Sequence, residues 1–164
     1  MADVIALVLR FFHIMFGIAW IGAVFYGVGV LRRVMPRIDM PARKATMKQL
    51  IPVVTRYIPG SAVMTILMGA ILYLYLGAAR GLGLTTLWGL LILTALGVAL
   101  TAFGFGMVFG IGTAKKILAH LNEESCTHGP EVGALTARFN QAQVVVLILG
   151  IAIIGLMVYA GEGI

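Results

Sequence analysis

Residues 9–26 read LRFFHIMFGIAWIGAVFY. Arg10 and His13 interrupt an apolar run that extends from 5 to 30, long enough for the ~20 helical residues that cross hydrocarbon. Arg10, His13, Gly17 and Trp20 stand at i, i+3, i+7 and i+10, a spacing that puts all four on one face of a helix. An ionisable side chain at bilayer depth is expensive and is kept where a partner or a cofactor holds it. The stripe is therefore the best handle on function.

Composition agrees with a membrane setting. The 164 residues are 61% hydrophobic and only 11% charged, with a mean hydropathy of +1.05; soluble domains carry about 25% charged residues. The length is that of one small domain. Four apolar segments, 5–30, 58–77, 85–112 and 142–160, predict an all-α integral membrane four-helix bundle. Short alternating strands, the mark of a membrane barrel, are missing from the sequence.

The charges give an orientation. Segment 31–57 carries Arg32, Arg33, Arg37, Arg43, Lys44, Lys48 and Arg56 against Asp39. Segment 113–141 carries Lys115, Lys116 and Arg138 against Glu123, Glu124 and Glu131. The excess of Lys and Arg places both connections in the cytoplasm and both termini outside. A prokaryotic plasma membrane is the expected setting. The net charge of +6 is thus a matter of topology, and no nucleic acid is expected as partner. Cys126 is alone and allows no internal disulfide. The first span lacks a small-residue cleavage site, so it is expected to be retained and not removed as a signal peptide.

Within 31–57, Met47, Leu50, Ile51 and Val54 repeat at helical spacing beside Lys44 and Lys48. That pattern suits an interfacial helix on anionic headgroups, or a docking surface. Gly106 and Gly110 form a close-approach pair, usable within the chain or between copies. His120, Cys126 and His128 make an H-x5-C-x-H cluster, read as an ordinary polar loop or, with a fourth ligand, as a zinc site.

Hydrolase signatures are missing: there is no G-x-S-x-G, no H-E-x-x-H and no carboxylate inside a span, so no catalytic residue is assigned. The stripe fits a b-type haem. His13 supplies an axial nitrogen, Gly17 leaves flat space, Arg10 can pair with a propionate and Trp20 can pack on the macrocycle. At 1.5 Å per residue, Met68 comes level with His13 and is the candidate second ligand. A five-coordinate haem, a ligand from a partner subunit, or two copies of His13 across a dimer axis are the other routes. Copper is the alternative metal, held by His13 and Met68, because thioether sulfur suits Cu(I). A third reading has no cofactor at all: a non-catalytic structural or assembly subunit of a membrane complex.

The same stretch resembles a known family. His13, Gly17, Trp20, Ile21, Gly22 and Tyr26 match an H-x3-G-x2-W-I-G-x3-Y signature in the first helix of the membrane domain of cytochrome c-linked urate oxidases. The following MPARKATMKQLIPVVTRYIPGSAVMTILMGAILY, with Pro52, Arg56, Thr65 and Gly69, is similar as well. The likeness covers about the first half of the chain. More distantly, the first helix resembles those of the copper-resistance D and four-helix protoporphyrinogen oxidase families. The resemblance implies that His13 is the functional histidine, with Gly17, Trp20 and Arg56 around it. It also implies a redox or metal association, with other membrane subunits, a cytochrome c or a second copy of the chain as partners besides the bilayer. No C-x-x-C-H occurs in these residues, so a c-type haem is not expected on them.

Overall fold

A computed structural model describes residues 3–81, 85–123 and 129–162. These residues form a bundle of four long helical rods. The first is α1 (Val4–Tyr26), a π-helical turn (Gly27–Leu31), the short α2 (Arg32–Val34) and a 3-10 turn (Met35–Arg37). The second is the unbroken α3 (Met40–Arg80). The third is α4 (Leu87–Phe105), a second π-helical turn (Gly106–Ile111) and α5 (Gly112–Asn122). The fourth is α6 (Gly129–Glu162). All four are long and apolar enough to cross a membrane. In hydrocarbon the backbone must satisfy its own hydrogen bonds, and a helix does so within one segment.

Local chemistry sets the ends. Asp39 caps α3, its carboxylate accepting from Ala42 N at 3.2 Å, and Pro41 in the first turn loses nothing by lacking an N–H. Gly81, at φ +64, stops α3 in the left-handed conformation that glycine tolerates. Thr86 caps α4 through Gly89 N at 3.0 Å. Asp3 caps α1 through Ala6 N at 3.2 Å and also accepts from the Tyr75 hydroxyl at 3.0 Å. That last bond ties the start of α1 to the far end of α3, so the two run antiparallel.

The surface is apolar around the bundle. Ile18, Leu74 and Val158 are each more than 60% exposed, a pattern that water would not tolerate over so large an area and that lipid does. Inside, small residues bring the backbones together, as membrane helices require. Trp20, Val24, Ala62, Ala99, Ala102 and Val146 form the central cluster. Tyr73 stacks on Trp88 at 5.6 Å in the cluster nearer the termini. Ile51, Ala114 and Ile117 form a third cluster at the basic end. Gly106 meets Val146 across α6, where an added Cβ would lie 3.4 Å from Cγ2. That glycine of the close-approach pair is therefore spent on packing within the chain.

The expected loop 31–57 is helical almost throughout. The first rod runs on to Arg37, and α3 starts at Met40 and passes through Pro52 and Pro59. Each proline removes the N–H that would bond the carbonyl four residues earlier. Hydroxyls fold back on the same stretch: Thr55 Oγ1 donates to Pro52 O at 3.2 Å, and Ser61 Oγ reaches Tyr57 O and Ile58 O at 2.9 and 3.0 Å. At 1.5 Å per residue the 41 residues of α3 span about 61 Å, twice the ~30 Å of hydrocarbon.

Gly150 of α6 receives Ile21 of α1, whose Cδ1 would lie 2.5 Å from an added Cβ. Gly150→Ala is expected to destabilise the bundle by about 1–3 kcal/mol through overpacking. Ile21→Val in the same chain, which removes that methyl, is expected to recover most of it. Thermal melts of the single and double variants in detergent check this.

Candidate functional site

His13 lies on α1 at the crossing with α3. Its ring is half-buried, and Nδ1 sits 2.8 Å from the main-chain carbonyl oxygen of Thr65. A carbonyl only accepts, so Nδ1 carries the proton and donates it. The lone pair of the neutral imidazole is then on Nε2. Among the described residues Nε2 has no hydrogen-bond partner, and it is not sealed from the surface. A ring held in one tautomer by a bond from its other nitrogen to a backbone oxygen is the arrangement in which histidine ligates a metal. It also serves as a strut between helices.

The ring fits because α3 is bare beneath it. A Cβ added at Gly69 would lie 2.7 Å from Cε1 and 2.9 Å from Nδ1 of His13. One turn along, the positions reverse: Thr65 Cγ2 would lie 3.7 Å from a Cβ on Gly17. The H-x3-G of α1 and the T-x3-G of α3 therefore interlock, each large side chain lying over the other helix's glycine. Thr65 turns its own hydroxyl back to Ser61 O at 2.8 Å, while its carbonyl accepts from the ring. Thr65 and Gly69 were legible as a motif but not as the seat of the imidazole. The signal was the matching four-residue spacing on two antiparallel helices.

The other sequence candidates fall in different places. Arg10 is exposed and makes no hydrogen bond or ion pair among the described residues. Trp20 is 3% exposed and belongs to the central core. The void that it lines is only about 30 Å³, room for a water and not for a macrocycle. Met68 is half-buried, and helical geometry turns it about 80° from the midline of the Thr65–Gly69 face. Arg56 is exposed. It precedes Thr65 by about two and a half helical turns, which puts it on the opposite side of α3. The structure thus brings His13 together with Gly17, Thr65 and Gly69, and leaves Arg56 apart from them.

The polar cluster of the last connection is only partly in view. His120 Nε2 lies 3.6 Å from a Glu131 oxygen. Glu124, Cys126 and His128 lie outside the described residues. Among the described residues no group of three His, Cys, Asp or Glu is gathered for a metal.

Gly69→Ala must displace the imidazole and break its bond to Thr65, whereas Gly17→Ala meets only ordinary contact. Gly69→Ala is expected to lower stability by about 1–3 kcal/mol and Gly17→Ala by less than about 0.5 kcal/mol. In a double-mutant cycle with His13→Ala, the penalty at Gly69 is expected to vanish, because the atoms that it strikes are gone. Unfolding in detergent measures all three.

Compared with protein-family models, with curated proteins and with solved structures, the chain finds no match.

Proposed function

We propose that this integral membrane protein holds a b-type haem through Nε2 of His13 and passes electrons as a subunit of a larger membrane assembly. One observation carries the reading: the imidazole, at bilayer depth, gives its Nδ1 proton to the Thr65 carbonyl at 2.8 Å and keeps an accessible lone pair on Nε2. Haem, when bound, supplies the one-electron couple. The chain's part is to fix the tautomer and aim of the ring. Arg10, three residues away and exposed, is free to meet a propionate.

The fit has one clear demand. Neither the void beside Trp20 nor the larger cavity at the basic end is lined by His13, and Trp20 is used up in the core. The second ligand and the cover for the macrocycle therefore come from outside this chain, from a partner subunit or a second copy of His13. Met68, turned to the flank of its helix, is the weaker choice. The apolar exterior beside α1, with Phe11, Phe12 and Ile14 exposed, suits such an interface.

Protein purified from haem-replete membranes is expected to show a Soret band and a reduced-minus-oxidised difference spectrum. His13→Ala is expected to abolish both, and imidazole in the buffer to restore them in part. His13→Gln still offers an N–H to the Thr65 carbonyl but no ring nitrogen, so it is expected to be folded and colourless. A wild-type protein without iron or porphyrin, whose stability falls in His13→Ala and returns in His13→Gln, would make the ring a strut in a structural subunit. Copper in place of iron in the purified protein overturns the haem reading too.

A further inference from the structure

A second site lies far from His13, at the basic end. A cavity of about 870 Å³ opens between the end of the first rod, the first turns of α3, α5 and the start of α6. That volume is within the ~300–1,000 Å³ of small-molecule sites, far above the about 30 Å³ of the void beside Trp20. Its wall along α3 includes the helical stripe Arg43, Lys44, Met47, Ile51, Val54 and Ile58. The stripe is cationic at one end and apolar at the other. The first rod adds Gly27 and Leu31 to the apolar wall and Arg32 to its cations.

No carboxylate is among the described residues of the wall. Lys44 Nζ reaches a main-chain oxygen, Glu123 O, at 3.5 Å, and the Arg43 guanidinium lies on Met40 Sδ. Neither contact neutralises a charge. Three acids stand around the rim: Asp39, whose carboxylate caps α3, Glu123, whose main chain meets Lys44, and Glu131, set against His120; none of the three lines the cavity. Three cations facing one cavity call for an anion, and the apolar floor calls for a hydrocarbon body. The stretch from Arg43 to Ile58 is about 22 Å long at 1.5 Å per residue. A phospholipid that reaches through one leaflet has a like length, half of ~40–45 Å.

We infer that this cavity binds one acidic phospholipid of the surrounding bilayer, headgroup phosphate against Arg32, Arg43 and Lys44 and acyl chain along Val54 and Ile58. Basic pockets between membrane helices bind acidic lipids in this way. The site does not depend on what His13 holds, and a haem-free protein keeps it.

The test is lipid retention. Protein is extracted in mild detergent, washed, and passed through mixed vesicles of phosphatidylglycerol and phosphatidylcholine, and the bound lipid is counted by native mass spectrometry. The wild type is expected to keep one phosphatidylglycerol per chain. Combined Arg32→Gln, Arg43→Gln and Lys44→Gln is expected to lower retention at least tenfold. Val54→Trp, which fills the floor and leaves every charge, is expected to do the same. Lys115→Gln, Lys116→Gln and Arg138→Gln remove three cations that do not line the cavity and are expected to change nothing. The inference falls if those three control substitutions lower retention equally, which would be diffuse attraction to basic surface. It falls equally if phosphatidylcholine is kept as well as phosphatidylglycerol, or if Val54→Trp has no effect while inorganic phosphate displaces the lipid.

Discussion

The bond from His13 to the Thr65 carbonyl depends on a residue that contributes no side chain. Gly69 leaves α3 bare where the imidazole lies down, and only there does the ring come within 2.8 Å of the carbonyl. The same closeness sets Gly17 against Thr65 and fixes the register of α1 on α3. From that crossing follow the burial of Trp20 two turns along, in the central core, and the tie between Asp3 and Tyr75 at the other end. In lipid, where apolar side chains gain nothing by leaving one another's company, such close fits and interhelical hydrogen bonds hold a bundle together.

Much of the fold could be read from the residues, and the reasons for the rest are physical. Four apolar runs of bilayer length left helices as the only economical answer. Segment 31–57 showed helical spacing at Met47, Leu50, Ile51 and Val54, but its charges dilute the hydropathy and hid that this helix runs unbroken into the second span. Proline breaks a helix by the N–H it lacks and by its ring, and Ser61 and Thr55 show hydroxyls bonding to the carbonyls of the same turns. The orientation of Arg56 was open to calculation from its spacing to Thr65. The role of Gly69 was not: the chain has 21 glycines, and only the folded helix pair shows which one lies under the ring. Trp20 stood on the predicted stripe, yet a helix face two turns long meets different neighbours at its two ends.

The rods are longer than the membrane they cross, and the excess has a use. Beyond the central core, α5 and the start of α6 close against α3 around Ile51, Ala114 and Ile117. This packing leaves the cationic cavity beside it. The two π-helical turns, Gly27–Leu31 and Gly106–Ile111, fall where the rods leave the apolar zone. Each widens its helix by an extra residue in the turn, and residues of each line a cavity.

The length of α3 also keeps the two polar sites apart. From Lys44 to Gly69 is about 38 Å along the helix, more than the ~30 Å of hydrocarbon. The ring and the cations therefore cannot both lie in the oily layer: wherever the imidazole is immersed in it, Arg43 and Lys44 stand clear of it among headgroups and water. One continuous rod thus serves two solvents, and neither polar end has to be buried for the sake of the other.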